Sequence, residues 1–88
     1  MAEDLNRLLE RTKRACWAKA KHLRNCASKL HDIGRERTER EQLFAFAAQL
    51  EARAAQCDAW LYQLLDGVSP ERELEMRDAC AEWLRMVP

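Results

Sequence analysis

The chain has 88 residues and a mass of 10.3 kDa, with 48% hydrophobic and 34% charged residues. That size predicts one domain, the apolar content excludes a disordered segment, and fifteen basic against fifteen acidic residues exclude the strongly basic domain that is the simplest nucleic-acid binder. Charge-free runs fall far short of the roughly 20 apolar residues of a membrane span, and Glu3, Asp4, Asn6 and Arg7 interrupt any signal-peptide core, so the expectation is a cytoplasmic protein with no membrane partner.

Only Thr12, Ile33, Thr38, Val68 and Val87 are β-branched, against fourteen Ala, which favours helix over sheet. In the first element Leu5, Leu9, Thr12, Cys16, Lys19, Leu23, Cys26, Leu30 and Ile33 follow an unbroken four-three spacing. That is the seam of a helix over residues 3–33, widened by Leu8, Ala15, Ala20 and Ala27. Lys19 interrupts it with a stem that packs and an ammonium that reaches water. Gly34 supplies a stop, because glycine takes the left-handed cap without strain.

A capping box of Thr38 and Glu41 opens the second helix, predicted over residues 39–66. Its seam is Leu43, Ala47, Leu50, Ala54, Cys57, Leu61, Leu64 and Val68, and Gly67 ends it. The third helix, over residues 70–86, starts with Ser69 as N-cap, Pro70 at the first position and Glu71 at the positive end of the dipole. Met76, Cys80, Trp83 and Val87 are its seam, and Pro88 follows it.

Short loops between three helices predict an all-α, antiparallel up-down-up three-helix bundle: two long helices in a hairpin and a shorter third. At 1.5 Å per residue the first two are roughly 45 and 42 Å long and the third roughly 27 Å. The third therefore covers the first half of helix one and the second half of helix two, which places Trp17, Trp60 and Trp83 in a closed half. The other end of the hairpin is left open, with Leu30 and Ile33 on helix one and Leu43, Phe44 and Phe46 on helix two. Phe44 and Phe46 diverge by about 200°, so at least one of them needs another partner or is left wet. These five residues are the predicted partner-binding set, and self-association as a dimer is its simplest form, since two hairpins bury each other as a four-helix bundle. On the back of helix two Ala45, Ala48, Ala52, Ala55 and Ala59 form a small-residue stripe ending at Tyr62, beside Gln42, Gln49, Gln56 and Gln63. Such residues admit a second helix closely, and they equally fill a solvated face.

The charge is uneven. Seven basic residues and no acid lie between Arg11 and Lys29, whereas residues 43–88 carry eight acids and four bases. Arg7, Arg11, Arg14, Lys21 and Arg24 make a basic face on helix one. It suits nucleic-acid phosphates as the alternative reading, an acidic protein, or plain solvation beside acidic neighbours. Cys16, Cys26, Cys57 and Cys80 all fall on apolar faces with no C-x-x-C spacing, so they are expected as core residues. His22 and Cys26 are four apart on one face, but two ligands do not make a metal site. Phosphate loops, nucleophile elbows and H-E-x-x-H are missing from the sequence. The expectation is a non-enzymatic module, without metal or cofactor, that binds a protein partner through the open end. An inhibitor, adaptor or antiactivator of bacterial or phage origin has this size and composition.

Overall fold

Three helices and no strand form among residues 3–87, which the computed structural model describes. They are α1 over Leu5–Ser28, α2 over Gly34–Asp66 and α3 over Pro70–Arg85. The fold is the all-α three-helix bundle that the periodicities predict. Pro88 lies outside the described residues. α1 and α2 form an antiparallel hairpin, stapled by Lys13 Nζ to Asp58 Oδ1 at 2.8 Å and by Arg24 Nε to Glu51 Oε2 at 2.8 Å. The 24, 33 and 16 residues of the helices correspond to about 36, 50 and 24 Å. α2 alone therefore spans the 50 Å long axis of the molecule.

Helix ends differ from expectation where glycine acts. α1 stops at Ser28 instead of residue 33, where the Lys29 N–H donates to the Cys26 carbonyl at 3.2 Å and the Leu30 N–H to that of Ala27 at 3.1 Å. Gly34 does take a left-handed φ of 62°, but it opens α2 rather than closing α1. That conformation turns the chain straight into a helix, so Thr38 and Glu41 sit inside α2 and form no capping box. Glu36 instead accepts from the His31 N–H at 3.1 Å, and Arg37 and Arg40 pair with Asp32. The charged first turns of α2 thus continue past the end of α1. α3 starts as predicted, with the Ser69 hydroxyl accepting from the Arg72 N–H at 3.1 Å.

Side chains pack in two clusters. Leu5, Leu9, Cys57, Trp60, Met76 and Cys80 fill one, where all three helices meet. Cys16, Ala20, Leu23, Ala47, Leu50 and Ala54 fill the other, mainly between α1 and α2. The buried seam of α1 runs Leu5, Leu9, Thr12, Cys16, Ala20, Leu23 and Ala27, not through Lys19 and Cys26. A straight helix drifts against a strict seven-residue repeat, and after Cys16 the seam slips by one residue. Alanines then meet at the α1–α2 contact, and their small volume brings the two backbones close. α3 stands nearer to α1 than to α2. It reaches α2 through large side chains, chiefly the stacked rings of Trp60 and Trp83, 5.4 Å apart and 5° from parallel.

Candidate functional site

The predicted open end is divided by the structure. Phe46 and Leu43 pack on the second cluster, as Trp83 and Val87 of the α3 end also do. Phe44 points the other way and is held between two cations, with the Arg40 guanidinium 5.0 Å and that of Arg24 5.7 Å from its ring centre. Leu30 is half-buried and Ile33 is 74% exposed in the loop after α1. Phe44 is therefore the phenylalanine turned away from the clusters, half-buried beside two guanidiniums in cation–π range.

Trp17 is also displaced from its expected place. It lies on the outside, 49% exposed, rather than in the closed half. Cys16 beside it takes the buried position, and a 100° step carries Trp17 away from α3. Helix geometry places Asn6, Glu10, Lys13, Trp17, Lys21 and Arg24 on that flank of α1. The matching flank of α2 holds Phe44, Glu51, Ala55, Asp58 and Tyr62. Together they form the broad face of the hairpin opposite α3.

Two hollows indent this face on either side of the Lys13–Asp58 pair. One, of about 480 Å³, is lined by Trp17, Ala18, Lys21, Arg24, Asn25 and Glu51. The other, of about 310 Å³, is lined by Asn6, Glu10, Asp58, Leu61, Tyr62 and Leu65. Tyr62 is 73% and Leu65 81% exposed. The first hollow pairs an aromatic ring with cations; the second pairs apolar groups with carboxylates.

The predicted basic face is partly neutralised within the chain. Arg11 donates twice to Glu3, at 2.8 and 3.2 Å, and Arg24 binds both carboxylate oxygens of Glu51. These hydrogen bonds hold the Glu3 and Glu51 carboxyls below their ordinary range. Arg7, Arg14 and Lys21 are exposed and make no ion pair among the described residues. For Glu51 the folded pKa lies below the ordinary 4.5. The stabilisation is thus complete above pH 4.5 and is lost as the pH falls through the depressed value. Both partners are partly exposed, so the effect is modest. Melting curves should show a smaller loss of stability between pH 7 and pH 3.5 in Glu51→Gln than in the unaltered chain.

Cys16, Cys57 and Cys80 are fully buried and Cys26 is half-buried; all four are free thiols. Burial raises the Cys16 thiol above its ordinary range. Cys26 Sγ lies 3.6 Å from His22 Nε2, and no group of three metal-ligating side chains occurs among the described residues. The exposed Trp17, Tyr62 and Leu65 have a sequence signature that a seam search passes over: large apolar residues lying off the four-three spacing.

No protein-family model, curated protein or solved structure matches the chain. No described helix is long and apolar enough to cross a membrane. Fold and face together define a small helical bundle with an amphipathic two-helix surface.

Proposed function

We propose that the chain is a non-enzymatic protein-interaction module that docks its partner on the α1–α2 face opposite α3. The observation that carries this reading is Trp17, half-exposed on the wall of an open hollow that it shares with Lys21 and the Arg24–Glu51 pair. Tryptophan and arginine are the residues most enriched at binding hot spots, and a ring rimmed by charge combines apolar contact with orientation. A module of this kind acts by occupying another protein's surface, as an inhibitor, adaptor or antiactivator does. Four free thiols suit a reducing compartment such as the cytoplasm.

Nucleic acid is the second reading, favoured by the exposed ring beside Lys21 and near Arg14, since bases stack on aromatics in cationic grooves. It ranks lower because Glu3 and Glu51 already bind two of the five predicted cations.

Capture from the host lysate with and without nuclease, using the unaltered chain, Trp17→Asp and Ile33→Asp, tests the assignment. The expected result is a stoichiometric protein that survives nuclease, is lost with Trp17→Asp and is retained by Ile33→Asp. Loss with Ile33→Asp alone would move the surface to the loop end. Disappearance on nuclease treatment would transfer the function to the phosphate reading.

A further inference from the structure

Arg53 carries a charge that the fold leaves unused. It lies on the side of α2 turned toward α3, one helical turn from Cys57 and two from Trp60, whose ring stacks on Trp83. Its Nη1 is buried and has no hydrogen-bond partner. Among the described residues Arg53 makes no ion pair and no side-chain hydrogen bond. The Trp60 Nε1, on the same side of α2, is also a buried donor without an acceptor. Burial holds the Cys16 thiol above its ordinary range, so it stays neutral and supplies no counter-charge to Arg53. A half-buried guanidinium with neither acceptor nor counter-ion is a cost that folding does not offset.

Beside Arg53 a hollow of about 340 Å³ opens between α2 and α3, lined by Gln49, Ala52, Arg53, Gln56 and Trp83. No carboxylate lines it. Arg11 and Arg24 show how arginines of this chain meet carboxylates: each turns its Nε and Nη2 onto one, Glu3 or Glu51, and binds both of its oxygens. In Arg53 the closed-off nitrogen is Nη1, so the same Nε–Nη2 edge is the one left for a ligand.

We propose that this α2–α3 hollow binds a small organic carboxylate with a flat apolar body. The carboxylate accepts from the Nε–Nη2 edge of Arg53, with the exposed Gln49 and Gln56 amides one turn to either side as further donors. The body lies on the part of the Trp83 ring that the stack with Trp60 leaves uncovered. A lone guanidinium with no second cation in the lining suits a single planar negative charge better than a phosphate dianion. The volume is at the small end for ligand pockets and fits a body of one or two rings. The site lies on the α3 side of the hairpin, away from the α1–α2 face, and does not depend on that face binding a partner.

Heteronuclear NMR titration of the full chain with naphthoate tests the site. Saturable shifts are expected at Gln49, Arg53, Gln56 and the Trp83 indole, with a Kd of about 0.1–1 mM for a ligand of this size. Naphthamide, of the same shape without the charge, should bind at least about tenfold more weakly. Arg53→Gln should weaken naphthoate by a similar factor, and Arg53→Lys should not restore it, because an ammonium lacks the planar fork. Arg53→Gln should melt no lower than the unaltered chain, since no internal bond is lost. No saturable shift at about 10 mM naphthoate, far above the expected Kd, would overturn the proposal. So would equal binding of naphthamide, undiminished binding to Arg53→Gln, or shifts confined to Trp17 and Lys21. Inorganic phosphate binding as tightly as naphthoate would overturn the carboxylate class. A marked fall in the melting temperature of Arg53→Gln would show that the guanidinium is already used by the fold, and would overturn the site as well.

Discussion

Leu9→Ala is expected to lower the free energy of unfolding by about 3–5 kcal/mol, the upper part of the range for buried leucine truncation. Leu9 is fully buried in the cluster where all three helices meet, against residues that include Trp60 and Met76. The void left by its side chain closes only if three helices move together, so relaxation is poor and the cavity cost is retained. A chain of this length has a total stability of about 4–13 kcal/mol, so the variant stands near the unfolding threshold. The melting temperature should fall by about 15 °C or more, read by far-ultraviolet circular dichroism. Leu74→Ala is the control. Leu74 is largely exposed on α3, and its truncation should change stability by no more than about 0.5 kcal/mol. Melting of Leu9→Ala within a few degrees of the unaltered chain would show that the three-helix junction is not where the fold is held.

Trp83→Ala is expected to cost about 3 kcal/mol, the low end for truncating a large aromatic side chain, and to act chiefly on α3. Trp83 is half-buried, which limits the area lost, but it is the one residue of α3 packed on both core clusters together with the Trp60 ring. α3 otherwise buries only Met76 and Cys80 fully. Without the stack, the end of α3 loses its hold on α2. Amide hydrogen exchange should quicken along the last two turns of α3 while the α1–α2 contact around Ala20 and Leu50 keeps its protection, the pattern of a local opening. Uniform acceleration across all three helices would instead show that the stack contributes only to global stability.

The two effects differ because the helices are held differently. α1 and α2 approach closely through alanines and are stapled by two ion pairs, so their contact survives loss of an aromatic. α3 stands off from α2 and depends on long side chains. This asymmetry leaves the opposite side of the hairpin uncovered, and the candidate binding face lies there.

Much of this architecture is written locally. The four-three spacing of apolar residues, Ser69-Pro70-Glu71 at the start of α3 and the scarcity of β-branched residues determine three helices and their class, because helix formation responds to neighbours within one or two turns. Most of the core is local as well: Leu5, Leu9, Cys16, Ala47, Leu50 and Cys57 are buried at positions the periodicity marks. Helix ends and faces are a different matter. Whether Gly34 closes α1 or opens α2 depends on where the chain must turn to bring the alanine seam together, and both choices satisfy its left-handed φ. Whether Trp17 or Ala20 enters the core depends on the drift of a straight helix against its partner, a property of two helices at once. Phe46 packs on the α1–α2 cluster, whereas Phe44 lies against the Arg24 and Arg40 guanidiniums. Local sequence thus sets the helices, their order and most of the residues they bury. Which large apolar side chains remain on the surface is set by packing between helices distant in the chain, a choice that no local pattern contains.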